Sequence, residues 1–189
     1  MKTRDSGMPE ESMWAQFFDP PDVLVKLGVS RAMHDVVEFG CGYGTFTIPA
    51  ARIVSGTIHA FDIDPDMIRA TEEKVREEGL GNVRLHLRDF VGEGTGLTEA
   101  SVDFAMLFNI LHAEHPRALL REAYRVLRPS GRLGIIHWIH DPTTPRGPAM
   151  DIRPTPEQCR AWAEEVGFLA LTTRTIDLPP YHYGIILAR

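Results

Sequence analysis

Val36-Val37-Glu38-Phe39-Gly40-Cys41-Gly42-Tyr43-Gly44 is a short apolar strand that runs straight into a G-x-G-x-G turn. Glycines at that spacing suit a backbone that must come against a nucleotide-like ligand, because side chains would block the approach or forbid the turn. The helix that follows then points its first N–H groups at the ligand. A dinucleotide fingerprint places its third glycine one position later, as G-x-G-x-x-G. Taken alone, the segment also fits a tight strand-to-helix turn with no ligand.

Downstream, Thr57-Ile58-His59-Ala60-Phe61 reads as a second strand ending in Asp62-Ile63-Asp64-Pro65-Asp66-Met67. An acid that closes the strand after a glycine turn suits hydrogen bonding to vicinal ribose hydroxyls. Asp64, directly before Pro65, reads as a helix cap, so Asp62 is the expected ligand residue. A third strand, Val83-Arg84-Leu85-His86-Leu87, leads into Arg88-Asp89-Phe90.

The acid, one apolar residue, the G-x-G-x-G turn and the two later strand ends together resemble class I S-adenosylmethionine-dependent methyltransferases. The resemblance runs from about Val36 to Gly167 and continues more loosely to the C-terminus. It implies a doubly wound, Rossmann-like α/β fold. The expected sheet is mostly parallel and seven-stranded, in the order 3-2-1-4-5-7-6 with the last strand antiparallel. It further implies that Gly40, Cys41, Gly42 and Gly44 line the methionine part of S-adenosylmethionine, with Glu38 near its amino group. Asp62 would take the ribose hydroxyls and Ile63 would pack on adenine. Asp89 would accept the adenine amino group, with Phe90 flanking the ring.

Composition is ordinary for a soluble globular chain of one domain: 189 residues, 43% hydrophobic and 24% charged. A net charge of −6 argues against a nucleic-acid backbone as the main partner. Cys41 and Cys159 are too few and too far apart for a disulfide framework or a C-x-x-C metal site. Cys41 reads as a small residue filling the glycine turn. Met1–Gly7 is polar, reads as disordered and lacks an apolar signal core. No run of 18 apolar residues occurs. The expectation is a cytoplasmic protein that acts on a small molecule without a membrane partner, as a monomer or a homodimer.

Residues 1–30 read as an N-terminal helical segment ahead of a methyltransferase-like domain over 31–189. Met13, Trp14, Phe17 and Phe18 fall on one face of a helix. Two roles stay open for them: packing on the core, or a lid over the ligand pocket. Asp19-Pro20-Pro21 ends one helix and starts another. From Asp35 onward strands and helices alternate at βα spacing. The nearly continuous apolar run Val102–Phe108 suits a central parallel strand buried on both faces. The fifth strand is expected at Leu133–His137, after the turn Arg128-Pro129-Ser130-Gly131. Thr155-Pro156-Glu157-Gln158 is a capping-box start for the last helix. Two strands, Leu169–Ile176 and Gly184–Ala188, close the chain.

The fourth strand ends in Phe108-Asn109-Ile110-Leu111-His112-Ala113-Glu114-His115, a place that in the resembled family faces the sulfonium and the incoming nucleophile. An amino methyltransferase of nucleic acids carries Asn/Asp-Pro-Pro-Tyr/Phe here, and this chain does not. The stretch Tyr124–Gly131 is similar to the ubiquinone/menaquinone biosynthesis C-methyltransferase-like group, with Ser130 where Gly is usual. Asn109, His112 and Tyr181 are the candidate catalytic residues, Asn109 also touching the cofactor. Trp14, Phe18, His140, Arg153, Tyr181 and Tyr183 are the candidate acceptor residues, with Arg153 available to an acidic acceptor. His112, Glu114 and His115 lack the i, i+4 spacing that a helical metal site prefers, so no metal is expected. His137, His140 and Asp141 follow the fifth strand at the functional edge of the sheet. The alternatives are a protein or RNA methyltransferase and a non-catalytic partner subunit that retains the cofactor fold.

Overall fold

Val36 and Val37 point to opposite faces of β1 (Val36–Phe39), and both are fully buried. A strand covered on both faces needs helices above and below it, which crossover connections between parallel strands supply. The structure, a computed structural model, describes residues 10–189, and the expectation for Met1–Gly7 lies outside them. The parallel strands are β1, β2 (Ile58–Asp62), β3 (Val83–Leu87), β4 (Val102–Phe108) and β5 (Leu127–Trp138). Three antiparallel strands follow: β6 (Leu169–Ala170), β7 (Ile176–Leu178) and β8 (His182–Ala188).

The sheet order is β3-β2-β1-β4-β5-β8-β6, with β7 also paired to β8. Among the described residues there are thus eight strands where seven were expected. The expected sixth strand is two short pieces that pair with different parts of β8. Between them the backbone N–H of Arg174 donates to Thr172 Oγ1 at 3.1 Å, a local bond that diverts the chain from the ladder. The last strand begins at His182 rather than Gly184. The fifth absorbs its expected turn: the register with β4 shifts between Val102 and Phe104, and Ser130 takes φ +68.

One face of the sheet packs Val37, Phe39, Leu107, Ile135 and Ile185 against α5 (Pro116–Val126) and α6 (Pro156–Val166). The other packs Val36, Ile58, Phe104, Met106 and Ile136 against α2 (Pro20–Lys26) and α3 (Thr47–Ile53), with Ile68 and Val75 of α4 (Pro65–Glu77) beside them. The α6 capping box forms in both directions, Gln158 N to Thr155 Oγ1 and Thr155 N to Gln158 Oε1. Asp19 caps α2 ahead of its two prolines. The first helix is shorter than the 13/14/17/18 pattern predicts. Here α1 (Glu11–Trp14) tightens into a 3-10 turn at Ala15–Phe17, Phe18 is extended, and Met13 faces outward. Among the described residues no helix is long and apolar enough to cross a membrane.

Candidate cofactor and acceptor site

The glycine turn leaves β1 at the carboxyl edge of the sheet, where ligands of such folds sit. Gly40, Gly42 and Gly44 all have positive φ, at +81°, +54° and +75°. A Cβ on Gly44 would come within 2.9 Å of Thr71, so the turn can lie against α4 only without one. Its backbone is held from two sides. The N–H groups of Gly40 and Cys41 both donate to the Phe61 carbonyl at 2.9 Å. Thr71 Oγ1 donates to the Gly42 carbonyl at 2.8 Å, and Lys74 Nζ to that of Tyr43 at 2.6 Å. Cys41 is buried within the turn, and burial pushes its thiol well above the usual range.

Two acids flank this loop. Glu38 is almost wholly buried, and Thr47 Oγ1 donates to its carboxyl group at 2.5 Å. Burial raises its pKa to about 8; the Thr47 bond opposes the shift and the nearby Asp62 charge adds to it. Asp62, at the end of β2, accepts from Gly42 N at 2.9 Å and from Asp64 N at 3.0 Å. Burial raises its pKa as well, against those backbone bonds. Asp64 caps α4 by accepting from Asp66 N at 2.8 Å. Ile63 is half-buried beside them. Asp89, past the end of β3, accepts from Gly92 N at 3.0 Å. Phe90 is buried edge-on to Phe39, with ring centroids 5.6 Å apart.

At the end of β4, Asn109 takes φ +54, a costly conformation for a residue with a side chain. Its backbone N–H donates to Ile136 O at 2.8 Å. The amide nitrogen and oxygen of its side chain are buried with no hydrogen-bond partner among the described residues, an arrangement that a polar ligand would relieve. Three residues on, His112 is buried, and its Nδ1 lies 3.3 Å from Nε2 of His137.

Trp14, Phe17 and Phe18 gather over the carboxyl ends of β5 and the start of β8. Trp14 meets Phe18 edge-on at 5.1 Å and Trp138 at 6.5 Å, and Phe17 meets Trp138 at 5.3 Å and Tyr181 at 5.9 Å. Phe18 lies 4.3 Å from the ring of His182 and 5.1 Å from Phe46. Trp14, Phe18 and Tyr181 thus share one aromatic cluster, joined by His182 and by Trp138, a residue outside the expected acceptor set.

Three expected acceptor residues make contacts within the protein itself. The buried guanidinium of Arg153 donates to the carbonyls of Ile139, Asp141, Arg146 and Pro148 and to Thr144 Oγ1, at 2.7–3.3 Å. It closes the 138–154 loop on itself and is not available to an acidic acceptor. Its backbone carbonyl also lies 2.9 Å from His140 Nδ1, which ties that ring into the same loop. Tyr183 points to the α6 side of the sheet, where its hydroxyl donates to Pro154 O at 3.0 Å within the core. A one-residue alternation along β8 separates it from His182, on the aromatic side. Among the described residues no group of three His, Cys, Asp or Glu could hold a metal ion.

Over residues 36–131 the chain matches the family described as methyltransferase domain. The chain belongs to the class I S-adenosylmethionine-dependent methyltransferases. A protein from Aquifex aeolicus described as a SAM dependent methyltransferase is 25% identical with a TM-score of 0.82, covering 95% of this chain and 93% of that one. The nocamycin O-methyltransferase of Saccharothrix syringae is 35% identical over 64% of this chain and 44% of its own length. A demethylmenaquinone methyltransferase of Lactobacillus johnsonii is 30% identical over 61% and 48%. The matches thus span about half the length of these two curated methyltransferases.

Proposed function

We propose that this chain transfers the methyl group of S-adenosylmethionine to a small-molecule acceptor. The observation that carries this reading is the glycine turn held between two buried acids, Glu38 and Asp62, neither in an ion pair with a basic residue among the described residues. Uncompensated buried carboxyl groups favour a cationic ligand. They would oppose the pyrophosphate of a dinucleotide in the same turn. S-adenosylmethionine, bearing an ammonium and a sulfonium, supplies an already activated methyl group.

In this reading Gly40, Cys41, Gly42 and Gly44 give the methionine part a backbone floor, and Glu38 faces its ammonium. Asp62 receives the ribose hydroxyls on lone pairs left beside its two backbone bonds. Ile63 and Phe90 border the adenine, and Asp89 accepts its amino group. Asn109 offers its unpartnered amide where sulfonium and acceptor meet. The aromatic cluster of Trp14, Phe18 and Tyr181 forms the apolar wall of the acceptor side, with residues 10–30 as a lid. Alignment and exclusion of water supply most of the acceleration that such a transfer needs. Both curated relatives carry names that denote small-molecule acceptors, which supports the same class here.

Incubation with labelled S-adenosylmethionine and a metabolite extract tests the activity and captures the acceptor. Saturating S-adenosylhomocysteine at about 100 times its Kd is expected to stabilise the fold by roughly 2.7 kcal/mol, read as a rise in Tm. No rise, or a larger one with NAD, rejects the assignment.

A further inference from the structure

His182 and Trp138 face each other across the β5–β8 pairing, and Leu178 of β7 lies opposite His182 on its other side. Antiparallel partners in register point to the same face, so the imidazole stands between an indole and a leucine. His182 is only 1% exposed. Its ring centroid lies 4.2 Å from that of Trp138 and 4.3 Å from that of Phe18, and Trp14 meets it edge-on at 6.5 Å. Neither of its ring nitrogens has a hydrogen-bond partner among the described residues.

A neutral imidazole carries one N–H and one bare nitrogen in either tautomer. Burial pushes the His182 pKa down to about 3, with the Arg153 charge acting in the same direction, so the ring is neutral near physiological pH. Whichever tautomer it takes, a buried donor and a buried acceptor both stand unmatched, which costs stability. A group of this kind calls for a reason, and completion by a ligand is one.

The imidazole is also joined to the cofactor end of the sheet. Phe108, just before Asn109, meets Phe46 at 4.8 Å, Phe46 meets Phe18 at 5.1 Å, and Phe18 covers His182. Phe46 lies two residues past Gly44, so these touching rings lead from the glycine turn to the imidazole. The cover itself is short. Phe18 is extended behind a four-residue helix and a three-residue 3-10 turn, and displacing that segment opens a way to His182.

We propose that His182 selects the acceptor, an uncharged flat ring with a hydroxyl or carbonyl oxygen on its rim, which packs against Trp14, Phe18 and Trp138 and hydrogen-bonds the imidazole. The inference rests on the methyl-transfer reading above and names its substrate class. Aromatic rings suit a flat apolar body, and a single polar group among them fixes its orientation. A carbonyl oxygen takes the N–H, and a hydroxyl can meet either nitrogen. A carboxylate would be buried here without a cation, since Arg153 is engaged by loop carbonyls.

The test titrates the native chain with 2-naphthol, naphthalene and 2-naphthoate, with and without saturating S-adenosylhomocysteine. Binding is read from the indole N–H signals of Trp14 and Trp138 by nuclear magnetic resonance. Trp162 of α6, on the other face of the sheet, is the internal reference. The native chain is expected to hold 2-naphthol about tenfold or more tighter than naphthalene, with 2-naphthoate weaker than 2-naphthol. In His182→Phe that preference should shrink to about twofold or less. The variant should also melt no lower than the native chain, because an apolar ring of similar shape replaces the unmatched imidazole. Equal affinity for 2-naphthol and naphthalene in the native chain, tighter binding of 2-naphthoate, or no response of either indole to any probe overturns the proposal. So does a variant that keeps the full preference or melts well below the native chain, which would give the imidazole a structural partner. S-adenosylhomocysteine binding is measured separately: its absence rejects the methyl-transfer reading, while the probe ranking still decides the role of His182.

Discussion

Thr47 donates its hydroxyl to the almost wholly buried Glu38 carboxyl group at 2.5 Å. Desolvation outweighs that bond and lifts the Glu38 pKa from 4.5 to about 8. A carboxyl group raised on folding lends stability that is complete below its unfolded pKa and is lost as pH rises through the folded one. Relative to Glu38→Gln, the unliganded native chain should therefore lose stability from pH 4.5 to about 8 and level off above that. Thermal melts of both proteins across that range check the sign; a native chain that gains stability relative to Glu38→Gln as pH rises refutes it. A bound ammonium should drive Glu38 to ionise, so cofactor binding near neutral pH should release a proton. Calorimetry in buffers of different ionisation enthalpy reads this release directly.

Asp62 and Asp64 stand two residues apart with separate tasks. Asp62→Asn should weaken S-adenosylhomocysteine binding by about 10- to 100-fold, the loss of one charge-assisted bond worth about 1.5–3 kcal/mol. Asp64→Ala should cost about 1 kcal/mol of stability as a lost helix cap, with near-native affinity. Titration calorimetry of both variants decides between them, and a larger affinity loss at Asp64 would reverse the assignment.

Lys74 joins the N-terminal segment to the glycine turn, since its ammonium bonds the Tyr43 carbonyl and also pairs with Glu11. Both side chains are partly exposed, so the ion pair itself contributes under about 1 kcal/mol. Glu11→Gln should speed proteolytic cutting near Trp14 and leave cofactor affinity unchanged. Lys74→Met should do both, freeing the segment and loosening the turn, with Kd for S-adenosylhomocysteine rising a few-fold. Equal affinity in the two variants would show that the turn does not depend on Lys74.

Arg153→Met should lower stability by about 3 kcal/mol or more, because it leaves buried carbonyls of the 138–154 loop without donors. The melting temperature reads this directly. An unchanged melting temperature with weakened acceptor binding would instead return Arg153 to substrate recognition.

The cofactor side of the site was legible in the sequence because backbone geometry there dictates residue type. Positive φ at three alternate positions calls for glycine, and a cap followed by proline separates Asp64 from Asp62. The acceptor side was not, because its partners are distant or are backbone atoms. Nothing near Arg153 in sequence announces four carbonyls and a hydroxyl from residues 139–148, and the pairing of His112 with His137 exists only once β4 and β5 lie side by side. Tyr183 and His182 are adjacent and chemically plausible, and only strand alternation sends one to the core. The divided sixth strand was hidden for another reason: Leu169–Ile176 is rich in the β-branched residues that favour strands, and a single Thr172 side-chain bond overrides that preference.

That division shapes how the molecule meets its own kind. An intact strand beside β8 would present a long row of unpaired amides and carbonyls, a template onto which another chain could grow by β-pairing. Cut into a two-residue and a three-residue piece, with 172–175 between them outside any strand, the border offers no run long enough to seed an intermolecular ribbon. The exposed Leu169 and Leu171 lie at this interruption, so apolar surface and an open ladder do not coincide over any useful length. The break at Thr172 thus serves colloidal stability, keeping concentrated copies of the chain from zipping edge to edge.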